Sequence, residues 1–153
     1  MWTRDDLEDY LQHRVHMRLG EMCTHILDSL ISVFLRIPYK DTEVIFDERD
    51  VQFIFAFGPA AFPLDFRGKK WFVILARNLV DMNKEERYYS LAHELAHVFL
   101  DGPLMHNWKA KEIAADEQII KWGFEKEVWA TEWSYMNERR EEEEHYGQME
   151  PRL

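Results

Sequence analysis

Between Thr3 and Ile37 the apolar residues Leu7, Leu11, Val15, Leu19, Met22, Ile26, Leu30, Val33 and Ile37 recur at every third or fourth position. That is the period of a helix with one buried face. Thr3, with Asp6 three residues on, predicts the N-cap; Pro38 predicts the stop, and Gly20 a division into two helices. From Glu43 to Ala76 the pattern changes. The runs EVIF, VQFIFAF and KWFVILA, broken at Gly58-Pro59 and Arg67-Gly68, predict three or four short strands. Helical spacing returns after Asn83, which forms a capping box with Glu86, and ends at Asp101-Gly102-Pro103. A second helix is predicted from about Trp108 to Trp122, with Lys121 in its last turn and Gly123 as a left-handed terminator. A third begins near Glu125 and fades into an acidic run, so that 138–153 reads as a solvated, frayed tail. The expectation is a single domain over 1–153.

Composition narrows the classes of function. The 153 residues are 46% hydrophobic and 31% charged, enough for a folded core. A formal net charge of −10 repels phosphate backbones and anionic lipids, which argues against nucleic acid and membrane partners. The one cysteine, Cys23, can form neither an intramolecular disulfide nor a cysteine-rich metal site, and fits a reducing compartment. No run approaches about 20 apolar residues, and MWTRDDLEDY places acids where a signal peptide has bases. A cytoplasmic location is expected.

The chemistry lies in the helix after Asn83. It contains His93-Glu94-Leu95-Ala96-His97, and residues at i and i+4 lie one turn apart on one face, where two imidazoles can bind one metal ion. Neutral imidazoles suit zinc, one ion per chain, and Glu94 is left free to accept a proton from water. Tyr88, Leu91, Leu95, Val98 and Phe99 form an apolar stripe that would bury the helix and hold the histidines rigid.

A third ligand is predicted at Glu112, on the helix that the Gly102-Pro103 turn folds back against the first. Asp116, one turn on, is placed to accept a hydrogen bond from a ligand imidazole and fix its tautomer. Ala114 and Ala115 would allow close approach of the two helices. Asp101 and Glu117 are lesser alternatives for the third ligand. The metzincin spacing fails, because it needs histidine where Pro103 stands and glycine where Leu100 stands; His106 is not in its register.

The stretch Val73-Ile74-Leu75-Ala76-Arg77-Asn78-Leu79, followed by Glu86-Arg87-Tyr88-Tyr89-Ser90-Leu91-Ala92-His93-Glu94-Leu95-Ala96-His97-Val98-Phe99-Leu100, resembles the ImmA/IrrE group of small gluzincin-like metallopeptidases. Glu112-Ile113-Ala114-Ala115-Asp116 is similar to the acidic, alanine-containing motif that supplies their third zinc ligand. The resemblance covers roughly residues 70 to 122. It implies a compact α+β fold with a small sheet against the metal-binding helices, zinc as cofactor, and limited proteolysis of a protein substrate, often a transcriptional repressor. SprT-like and phage metallopeptidases share the HExxH scaffold.

The expected fold is therefore α+β: N-terminal helix or helices, a three- to four-stranded sheet, the HExxH helix, a third-ligand helix and a C-terminal helix. The expected reaction is amide hydrolysis of a protein or peptide, with His93, His97 and Glu112 on zinc, Glu94 as general base and Asp116 behind a ligand. Tyr89, His106, Tyr135 and His145 are candidates, by residue type, for stabilising the oxyanion. The strand at Trp71 to Ala76 would offer a free edge to an extended substrate. Trp122, Trp129, Trp133 and Met136 at helical spacing read as core, and His13 and His16 as surface histidines on one helix. The alternative is a non-catalytic acidic binding module with a structural or vestigial zinc site; an uncoordinated Glu94 speaks against it, since a structural site has no use for a base.

Overall fold

The computed structural model describes residues 1–16, 20–56, 60–63, 71–100 and 108–149. The predicted turns at 58–59, 67–68 and 101–103, together with His106, lie outside these residues, as do the side chains of His16 and Cys23.

Helix α1 (Arg4–Gln12) starts at the predicted cap. Thr3 Oγ1 accepts the Asp6 N–H at 3.1 Å, and Asp6 Oδ2 accepts the Thr3 N–H at 3.0 Å, so two helix-end donors are satisfied reciprocally. The expected helical stretch divides before Gly20: β1 (Val15–His16) intervenes, and α2 (Gly20–Arg36) begins at the glycine. His13 caps α1 and His16 lies in β1, so these two histidines do not share a helix.

The segment EVIF, expected as a strand, is helical. Helix α3 (Tyr39–Glu43) runs into a π-helical turn at Val44–Glu48. Ile45 and Phe46 are buried there, and the Phe46 ring stacks on Tyr10 with centroids 3.8 Å apart. A four-residue apolar run fits either period, and burial beneath α1 selects the helical one.

Strands β2 (Val51–Ala56), β3 (Ala60–Pro63) and β4 (Trp71–Ala76) join β1 in the order β1-β2-β4-β3. The β1–β2 and β2–β4 pairs are parallel and β3–β4 is antiparallel, with Val15 opposite Phe53 and Phe53 opposite Val73. Val51, Phe53, Trp71, Val73 and Leu75 are buried, the alternation of one covered face.

The α+β expectation is corrected on these observations. The protein is mostly helical, with seven α-helices among the described residues. Its strands are only two to six residues long. Residues read as strand went to helix, β1 came out of a stretch read as helix, and the parallel β1–β2 pair is bridged by α2 and α3, because parallel strands need a long crossover. The free edge expected at Trp71–Ala76 is also corrected: β4 is paired on both sides, with β2 and with β3.

Beyond a 3₁₀ turn at Arg77–Asp81 come α4 (Lys84–Leu100), α5 (Trp108–Lys121), α6 (Glu125–Ala130) and α7 (Tyr135–Met149). Gly123 ends α5 at φ +98°. The Phe124 N–H reaches Ile119 O at 2.8 Å and the Gly123 N–H reaches Ile120 O at 3.0 Å, which occupies the last carbonyls. The helix predicted from Glu125 breaks at 131–134. There Asn137 Nδ2 donates to the carbonyls of Val128 at 3.1 Å and Thr131 at 2.7 Å, and Ser134 Oγ caps α7 by accepting the Asn137 N–H at 3.2 Å. From 138 the chain continues as helix to Met149, exposed through 145, with Lys109 of α5 held 2.8 Å from Glu142. Trp122 is buried and Trp129 and Met136 pack against the core, whereas Trp133 is 47% exposed.

Helix α4 occupies the middle of the molecule, against α2, α5, α6 and β3. Every residue from Tyr89 to Ala96 is buried. No helix among the described residues is long and apolar enough to cross a membrane.

Candidate metal centre

The start of α4 is set by Asn83, whose Oδ1 accepts the Glu86 N–H at 2.9 Å. Glu86 does not complete the predicted box; its Oε2 accepts the Trp133 indole N–H at 3.1 Å. Three residues at four-residue spacing, Tyr89, His93 and His97, then share the face of α4 that meets α5. Ala92, Ala96 and Ala115 are fully buried, and small side chains let the two helices approach. Ala114, expected to share that role, is exposed.

His93, His97 and Glu112 converge. Their ligand atoms lie within 4.8 Å of one another, and among the described residues this is a group that can hold a metal ion. His93 Nε2 is 2.8 Å from Glu112 Oε2, His97 Nε2 is 3.1 Å from Glu112 Oε1, and the two Nε2 atoms are 3.1 Å apart. Donors on a tetrahedron with bonds of about 2.05 Å would stand roughly 3.3 Å apart, so small side-chain adjustments admit an ion. The donor set, two imidazole nitrogens and a carboxylate, suits a borderline divalent cation. Side-chain exposure rises from 5% at His93 to 16% at His97 and 23% at Glu112, so the group is reached from the His97–Glu112 side.

Behind His93 sits a buried acceptor. Asp116, fully buried, takes the His93 Nδ1–H at 2.7 Å and the Tyr89 O–H at 2.7 Å on Oδ1, and the Met136 backbone N–H at 3.0 Å on Oδ2. The bond to Nδ1 directs Nε2 of His93 toward Glu112 and His97. Three donors also settle the carboxylate's charge where water cannot.

The electrostatics follow from these contacts. Burial works against a charged His93, yet its hydrogen bonds to Asp116 and Glu112 outweigh that and push it up to about 9. Burial would raise Glu112, but hydrogen bonds from His93 and His97 bring it well below the usual carboxylate range. Glu94 is buried and stands outside the converging group; burial pushes it up, offset in part by the neighbouring His93 and His97. Burial and the Asp116 charge keep the Tyr89 phenol protonated. Tyr135 is pushed up to about 12 by burial and by the Glu112 carboxylate.

All five residues expected at the site are thus brought to one place: the three ligand candidates together, Asp116 behind them and Glu94 beside them. The alternatives fare differently. Glu117 is exposed and faces Arg139 at 3.6 Å, and Asp101 and His106 lie outside the described residues. Of the oxyanion candidates, Tyr89 is committed to Asp116, His145 is exposed far along α7, and Tyr135 lies against the site, its ring stacked on His93 with centroids 5.5 Å apart and planes 18° from parallel. Tyr89 as partner of Asp116 was open to sequence reasoning, because it precedes His93 by one turn. The Met136 N–H was not, since a backbone donor has no residue type.

No family model, curated protein or solved structure matches this chain.

Proposed function

We propose that this chain is a zinc-dependent metallopeptidase that cuts peptide bonds of a protein substrate by limited proteolysis, in the manner of the ImmA/IrrE-like enzymes it resembles. The observation that carries this reading is the convergence of His93, His97 and Glu112 with Glu94 buried beside them and uninvolved in the group. Zinc held by those three residues would polarise the scissile carbonyl and acidify water at the exposed side. Glu94 accepts a proton from the attacking water as its oxygen bonds to the carbonyl carbon, and delivers that proton to the amine nitrogen as the C–N bond breaks. A carboxylate whose affinity for protons is raised by burial is suited to both halves of that transfer. Asp116 keeps His93 in one tautomer throughout. Among the described residues β3 is the edge strand next to α4, which supports a substrate laid along that strand. The single cysteine supports a cytoplasmic setting.

The test is elemental analysis of the purified protein beside His97→Ala, followed by assay of Glu94→Gln. About one zinc per chain, lost in His97→Ala, with cleavage abolished and zinc kept in Glu94→Gln, is the expected result. Bound zinc with cleavage undiminished in Glu94→Gln would overturn the mechanism. No zinc in the wild type and none taken up on addition would leave an acidic binding module in its place.

A further inference from the structure

We infer that Tyr135 is the residue that donates a hydrogen bond to the carbonyl oxygen of the substrate, from the first turn of α7. The chemistry rests on the metallopeptidase reading; the choice of residue rests on placement.

Tyr135 is held at the site by neighbours on both sides. Its ring lies flat on His93, at 5.5 Å between centroids. The next residue, Met136, gives its N–H to Asp116 at 3.0 Å, and two residues earlier the Trp133 ring meets Tyr89 edge-on at 5.2 Å. Ser134 caps the helix at that point. The phenol lies close enough to the Glu112 carboxylate for that charge to help push it up, and Glu112 is the most exposed of the three ligand candidates. With His93, His97 and Glu112 holding a metal ion, the phenolic O–H stacked beside His93 would be a donor close to the substrate carbonyl oxygen on which negative charge develops. A preplaced donor is of most use there. Among the described residues the other donors considered are excluded: Tyr89 gives its proton to Asp116, and His145 lies ten residues further along α7, about 15 Å at 1.5 Å per residue.

Tyr135→Phe keeps the stacked ring and removes only the hydroxyl. Zinc content and zinc affinity should match the wild type. In the cobalt-loaded protein, acetohydroxamate, followed by its visible absorption change, should bind about tenfold or more weakly to the variant. With labelled casein, kcat should fall about 100- to 1,000-fold while KM stays within a few-fold. Equal acetohydroxamate affinity in the two proteins would overturn the assignment. So would a parallel loss of zinc affinity, which would make Tyr135 a support for Glu112. Weakened acetohydroxamate binding in a protein whose wild type cuts no casein would support the donor role and leave the peptidase reading to the zinc and Glu94→Gln tests.

Discussion

His93 on α4 and Asp116 on α5 are joined by a 2.7 Å hydrogen bond from Nδ1–H to a carboxylate with no exposure to solvent. The two residues are 23 apart in the chain. The bond leaves Nε2 of His93 as the only nitrogen of that ring available to the ligand group.

Asp116→Asn keeps the size of the side chain and removes its charge. Metal affinity is expected to fall about 10- to 100-fold, the usual effect of losing the group behind a ligand histidine. Competition with a chromophoric zinc chelator measures it; an unchanged affinity would mean that the charge of Asp116 adds nothing to the hold on His93, since the amide oxygen can still accept the Nδ1–H.

Glu94→Gln should retain zinc and lose at least 100-fold in kcat on a cleavable substrate, the low end of what a general base contributes. Glu112→Ala should behave the opposite way, losing zinc first. If both variants lose metal equally, Glu94 belongs to the ligand set and the roles given above are wrong.

If His93, His97 and Glu112 hold zinc as proposed, zinc should stabilise the fold, because these residues come from two helices. At a free concentration 100 times Kd, the gain is about 2.7 kcal/mol. For a chain of this size that corresponds to a rise of roughly 5–10 °C in Tm. Thermal melts with zinc and with EDTA test this, with His97→Ala as the control that should not respond.

How much of this was legible without coordinates depends on the range of the signal. His93, His97, Glu112 and Asp116 could be read because the register of a helix places i and i+4 together whatever surrounds it. Thr3 and Gly123 could be read because a cap and a left-handed terminator are local. EVIF could not: four apolar residues carry no period, and the stacking of Phe46 on Tyr10, 36 residues away, decided it. β1 is two residues long and exists only because Phe53 and Ile54 pair with it. The contribution of the first turn of α7 depends on ring stacking and a backbone N–H, neither of which leaves a pattern in the sequence.

Gly123→Ala isolates one local signal. Nothing lies within 4 Å of the position a Cβ would take, so the substitution meets no steric obstacle. The φ of +98° remains. The expected cost is about 1 kcal/mol, read as a lower urea midpoint with an unchanged slope. A loss several times larger would show that the α5–α6 junction tolerates no change in the backbone at all.

Arg36 closes the same junction from the other side. Its guanidinium meets Glu127 at 2.6 and 3.2 Å and the Gly123 carbonyl at 2.8 Å, and lies 4.0 Å above the Phe124 ring. Glu127 is buried and Arg36 is 35% exposed on its side chain. Arg36→Ala should cost about 1–3 kcal/mol, below the range for a wholly buried pair. Urea denaturation measures it, and zinc affinity should not change, since α6 supplies no ligand.

The support that Asp116 receives from Met136 has a consequence for how this protein tolerates change. Because the donor is the main chain, nineteen of the twenty amino acids at position 136 would preserve it, and only proline would remove it. A contact that helps to fix the electrostatics of the centre is thereby sheltered from side-chain drift. The identity of residue 136 can wander while the helix keeps its phase, and what is held constant there is a position in space.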